Sequence, residues 1–180
     1  MPMRDRIKRS INQGHAKRIG HGLSIAWERD AIGVLEMMRR QNILVEICLS
    51  SNEFISSVRG DDHPFMLYWR AGVPLSLNTV DEGVNRGNLT VEFVKAVQRY
   101  NLDYEDVLTL ARNSLEYAFV PGSSLYVDGD YRQLRPAYRD VRKENYQGGM
   151  PKAANDLKLR LQIQFERDLL AFEKAMGAER

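Results

Sequence analysis

Cysteine is nearly missing from this 180-residue chain, and the single Cys48 excludes an intrachain disulfide framework and a cysteine-rich zinc site. Charge of one sign is missing too. Lys and Arg number 26 against 24 for Asp and Glu, a formal net charge of +2, so composition points to neither a nucleic-acid nor a membrane partner. No apolar run approaches the ~20 residues that span a bilayer. The basic opening (Arg4, Arg6, Lys8, Arg9, Lys17, Arg18) has no apolar stretch of the kind a secretory signal needs. Its composition also fits an organellar transit peptide, but a solvated helix with Ile7 and Ile11 on its buried side is the simpler account. What is present is ordinary: 43% hydrophobic and 28% charged residues, which excludes wholesale disorder and a collagen-like chain. The length suits one domain with a sizeable core, and a lone cysteine fits a reducing, cytoplasmic location.

Along the chain, short apolar runs alternate with helical patterns. Lys17 to Gly22 is short, with glycines either side of His21. Trp27 to Arg40 repeats Ala31, Val34, Leu35 and Met38 at helical spacing, and Ile43 to Leu49 is the near-continuous apolar, β-branched run of a strand buried on both faces. Ser50-Ser51-Asn52 is expected to end that strand, and His63-Pro64 to open a helix over 65–71. Val73 to Asn78 reads as a third strand, with Pro74 tolerated at its start. Thr90 is expected to cap a helix that turns Phe93, Val94 and Val97 inward, and Asp103 another with Val107, Leu110, Ala111 and Leu115 inward. Residues 121–150 show no clear period and read as a connector. In the tail, Leu161, Phe165, Leu169, Phe172 and Met176 form a helical stripe. Residues 157–165 also alternate as a strand would, but length and helix-forming composition favour one long helix.

Strands alternating with helices predict an α/β fold with a parallel sheet. Only three strands are visible, whereas a closed (β/α)8 barrel takes about 250 residues. Active sites of such folds collect at the carboxyl ends of the strands. Those ends offer His21, Ser50-Ser51-Asn52 and Thr79-Val80-Asp81-Glu82, an imidazole and carboxylates able to share proton transfer or binding. His15 reads as an exposed helix end, His63 as a helix start and Cys48 as a small core residue. Tyr126, Tyr131, Tyr138 and Tyr146 interleave with arginines as nucleic-acid-binding residues do, yet Asp128, Asp130, Asp140 and Glu144 cancel the charge that such binding requires.

The same residues carry a resemblance. Arg18-Ile19-Gly20-His21-Gly22, Glu46-Ile47-Cys48-Leu49-Ser50-Ser51-Asn52, His63-Pro64, Leu77-Asn78-Thr79-Val80-Asp81-Glu82-Gly83-Val84 and Arg112-Asn113-Ser114-Leu115-Glu116-Tyr117-Ala118-Phe119 are similar to the later half of the adenosine deaminase family. The resemblance spans roughly residues 10 to 120. It implies a partial (β/α)8 TIM barrel, about the last three βα units, over residues 1–120, with a connector and C-terminal helical extension over 121–180. It implies zinc-dependent conversion of adenosine, or a related purine nucleoside, to inosine: a metal-bound water attacks C6 and ammonia leaves. His21 matches the family's histidine beside the metal-bound hydroxide, a catalytic role. Asp81 matches the carboxylate that contacts the purine ring, a substrate-binding role.

The departures from the family pattern concern the metal. The sequence contains no His-x-His pair and no His-Ala-x-Glu motif, since His15-Ala16 runs on into Lys17-Arg18 and lies too close to His21. Val80 stands at the family's zinc-ligand aspartate, and valine has no lone pair to give, where catalytic zinc takes three protein ligands. The expectation is a truncated family member that binds no zinc and is inactive alone. The alternative is a non-catalytic interaction module or one half of a split or oligomeric barrel, partnered by a second copy or a complementary half-barrel chain. Neither a nucleic acid nor a membrane is expected as partner.

Overall fold

Parallel strands need crossovers, and the sequence supplies helices between them. The computed structural model describes residues 4–80, 82–151 and 155–177. The chain divides into two compact units, Met1–Ser114 and Leu115–Arg180.

In the first unit, α1 (Arg6–Asn12) buries Ile7 and Ile11 as their spacing requires. Strand β1 (Arg18–Gly20) leads through a 3-10 turn at Leu23–Trp27 into α2 (Ala31–Arg40). The N-terminus of α2 is set by Asp30, whose carboxylate accepts the Gly33 N–H. Then follow β2 (Leu44–Ile47), α3 (Leu49–Ser56), α4 (Phe65–Arg70), β3 (Leu75–Leu77), α5 (Glu82–Asn85), α6 (Leu89–Tyr100) and α7 (Tyr104–Glu116). The strands pair in parallel in the order β1-β2-β3, with Gly20 beside Glu46 and Ile47 beside Leu77.

Alternation along these strands makes two unlike faces. Ile19, Val45, Ile47, Leu75 and Leu77 share one face and join the core formed with Val34, Leu35, Met38, Phe65, Tyr68 and Leu110. The other face carries Arg18, Leu44, Glu46 and Ser76, and Arg18 Nε donates to Glu46 Oε1 at 2.6 Å. Burial of β2 on both faces therefore holds for Leu44 but not for Glu46, which is half-buried.

Other expectations need correction. Ser50-Ser51-Asn52 does not close the strand but forms the first turn of α3. The ladder explains this: His21 N–H bonds the Glu46 carbonyl, Asn78 N–H bonds that of Ile47, and beyond these β2 has no strand beside it. Asn88, not Thr90, caps α6, accepting the Val91 N–H. The buried face of α6 holds Glu92 and Ala96 while Val94 and Val97 are exposed. Asp103 does cap α7, in a reciprocal pair with Asp106. On α7, Leu110 is buried as expected, but Leu108, Arg112 and Asn113 are the others, with Val107, Ala111 and Leu115 only half-buried.

The second unit replaces the expected connector with an antiparallel hairpin, β4 (Tyr126–Val127) and β5 (Asp130–Leu134). Asp128 and Gly129 form its two-residue loop, both at positive φ, as an Asp-Gly hairpin turn demands. One long helix, α8 (Leu157–Ala175), settles the helix-or-strand ambiguity of the tail. Leu159 and Ile163 pack on Leu125, Tyr126 and Val141. Of the expected stripe Leu169 is buried and Phe165 half-buried, but Leu161, Phe172 (55%) and Met176 (69%) are exposed. Gln162 and Glu166 lie inward instead, because hairpin groups need partners there. Gln162 accepts the Leu125 N–H, and Glu166 accepts Tyr126 Oη–H and both Nε and Nη2 of Arg142. Tyr126 and Arg142 are thus engaged within the unit, and no helix of the described residues is long and apolar enough to cross a membrane.

Candidate functional site

Because β1, β2 and β3 are parallel and in register, their carboxyl ends open on one edge. His21 follows β1 directly in a three-residue turn closed by Gly22 N–H to the Gly20 carbonyl. Its φ of 61° is left-handed, a conformation that costs about 1 kcal/mol or more in a residue with a Cβ. Gly22, at φ 67°, continues the turn and admits no side chain. A Cβ there would meet Val45 Cγ1 at 2.7 Å and Tyr68 Oη at 2.9 Å. Tyr68 Oη–H in turn donates to the Gly22 carbonyl at 2.7 Å, so a buried tyrosine of α4 pins the loop that carries His21.

The His21 ring is held at one nitrogen. Nδ1 lies 2.6 Å from Oδ1 of Asn52, in the first turn of α3. Nδ2 of that amide lies 2.8 Å from Nε2 of His63, whose Nδ1 accepts the Phe65 N–H at 3.1 Å at the start of α4. Asn52 and His63 are buried and His21 is half-buried. Burial, reinforced by the charge of Arg99 and then by His21, pushes His63 down to about 4, so it is neutral at neutral pH.

The site is braced from α6 by Glu92, Lys95 and Arg99. Glu92 takes the Ser50 N–H at 3.2 Å with both carboxylate oxygens, filling an unpaired donor at the start of α3. Lys95 Nζ donates to Ser50 Oγ at 2.8 Å. Arg99 donates to Glu53, and this hydrogen bond, ahead of the charges of Arg99 and Lys95, holds the Glu53 carboxyl below the usual range against its burial.

His21, Asn52 and His63 are thus brought together, although His63 reads from sequence only as a helix start. The position of Asn52 at a strand end was the available signal. His15 is exposed and Cys48 is buried, as expected of each. Val80 lies just past β3 and is 53% exposed. Asp81, the expected substrate-binding residue, lies outside the described residues. Among the described residues no three His, Cys, Asp or Glu side chains gather closely enough to hold a metal ion. Both nitrogens of His63 and one of His21 already have partners, so the donors described do not fit zinc.

A protein-family model described as adenosine deaminase matches residues 3–125. The adenosine deaminase of Enterococcus faecalis is 32% identical over 106 residues, 58% of this chain and 31% of the relative. Among solved structures, arabidopsis ADAL complexed with GMP superposes with a TM-score of 0.56 at 30% identity, over 67% of this chain and 34% of that one. The apo N6-methyl-AMP deaminase of Arabidopsis thaliana gives a TM-score of 0.54 at 30% identity, over 63% of this chain and 32% of its own. The chain spans about a third of the length of the curated relatives it matches.

Proposed function

This chain belongs to the adenosine deaminase family, and from that premise we propose that it is the carboxyl-terminal portion of a cytoplasmic deaminase barrel for the 6-amino group of adenosine or a related purine nucleoside or nucleotide. Its fold is part of the family's α/β barrel with a C-terminal helical extension. The observation that carries the reading is His21, held in a left-handed turn at a strand end and secured at Nδ1. That leaves Nε2 as the ring nitrogen for a reacting group. In the proposed site His21 handles charge or a proton beside C6, and Asp81 contacts the purine ring. The arabidopsis neighbour is complexed with GMP and a further ADAL structure is a complex with IMP, which supports a purine nucleoside or nucleotide as the ligand class.

Zinc, when bound in this family, supplies hydroxide near neutral pH. Val80 presents only hydrocarbon at the family's ligand position, and the described donors do not converge. The proposal is therefore that the chain alone neither holds zinc nor deaminates. Elemental analysis of the purified chain, with an adenosine and AMP absorbance assay on the same sample, is expected to show no stoichiometric zinc and no turnover. Stoichiometric zinc with turnover would overturn the inactive reading. Titration with IMP, followed by amide NMR, is expected to shift His21 and its neighbours, and silence there would overturn the purine site.

A second reading is favoured by the sheet itself. β1 and β3 are edges in the order β1-β2-β3, and Arg18 and Glu46 stay part-exposed on one face beside buried Leu44 and Ser76, as in half of a barrel that another chain completes.

A further inference from the structure

The proton on a backbone N–H is fixed, and one such proton orders the whole His21, Asn52, His63 chain. Phe65 N–H donates to His63 Nδ1, so that nitrogen carries a lone pair. A neutral imidazole has one N–H, which must then be on Nε2. His63 Nε2–H faces the Asn52 amide at 2.8 Å and needs an acceptor. The structure places Asn52 Nδ2 toward His63 and Oδ1 toward His21, but the two ends of an amide are near-isosteric, and the protons they meet decide which is oxygen.

With the amide nitrogen toward His63, N–H donors would face both ring nitrogens. Only an imidazolate anion accepts both, and burial opposes such a charge. With the oxygen toward His63, every group is satisfied. Turning the amide over puts the Asn52 NH2 in place of Oδ1, 2.6 Å from His21 Nδ1, where it meets a lone pair.

We infer that Asn52 directs its carbonyl oxygen to His63 and its NH2 to His21, and so fixes His21 as the tautomer with its proton on Nε2. Asn52 and His63 are positioning residues, and Phe65 N–H is the origin of the order. His21 then meets a ligand as a hydrogen-bond donor at Nε2, suited to an oxygen with free lone pairs such as hydroxide or a carbonyl. A base taking a proton from water would need the opposite tautomer. The functional meaning rests on the site proposed above, but the tautomer itself is independent of any activity.

The test is long-range 1H–15N correlation spectroscopy of the 15N-labelled full chain near pH 7.5, with its three histidines assigned individually. His21 and His63 are each expected to show an unprotonated Nδ1 and a protonated Nε2, with exposed His15 as the internal reference. A protonated Nδ1 at either residue, or a tautomer mixture at His21, would overturn the inference. Asn52→Asp removes the NH2 and leaves only acceptors. It is expected to move a proton onto His21 Nδ1 while His63 keeps its Nε2–H, and an unchanged His21 pattern would count equally against the inference. Loss of IMP binding with the predicted tautomers intact would instead fault the proposed function.

Discussion

His63 shows how much one buried ring decides. Its neutral form is built into the site, and its folded value of about 4 lies below the 6.5 of an exposed imidazole. Between these values the unfolded chain binds the extra proton and the folded one does not. Its contribution to stability is therefore complete above about pH 6.5 and is lost as pH falls toward 4, with a span on the order of 3 kcal/mol. His63→Asn keeps an acceptor near the Phe65 N–H but does not titrate in this range. Urea unfolding of both proteins across pH 4 to 8 is expected to show the slope in the wild type and its loss in the variant. Equal slopes would mean that His63 is not held neutral by burial.

At the scale of elements, α3 depends on α6. Glu92 is buried and serves the Ser50 N–H, so Glu92→Ala strands a donor at the helix start and is expected to cost about 1–3 kcal/mol. Hydrogen exchange should quicken first at Ser50 and the following turn of α3, while the α2 amides stay protected. Uniform loss of protection would place the role of Glu92 in the whole core instead. The sequence predicted α6 as a helix, but periodicity counted its valines as the inward face. In α8 the same reasoning chose Leu161, Phe165, Leu169, Phe172 and Met176; Leu169 is buried as expected, but the rest of the buried row runs through Leu159, Gln162, Ile163, Glu166 and Glu173. Apolar spacing identifies a helix well. It misjudges the buried face when unpaired backbone and side-chain groups opposite require polar partners.

At the scale of the molecule, three parallel strands leave two edges, in a chain that covers about a third of the length of its relatives. If another chain completes the barrel, light scattering at high protein concentration is expected to show a dimer or larger species. A monomer that unfolds cooperatively would rule out self-association as the means of completion. The hairpin at Asp128-Gly129 was legible in its two turn residues, yet the charged, tyrosine-rich context read as a connector.

From the sequence alone came the α/β alternation, the three parallel strands in order, the apolar face of α2, the cap at Asp103, the family resemblance and His21 as the residue to watch. These rest on local spacing and on residue types, which a linear chain preserves. The tertiary structure decided where β2 ends, which faces of α6 and α8 are buried, and that His63 joins His21 through Asn52. Each of those depends on a donor meeting an acceptor far away in the chain, 31 residues apart for His21 and Asn52. No local pattern encodes such a meeting, because the need to pair a buried polar group arises only once the fold has removed water from it.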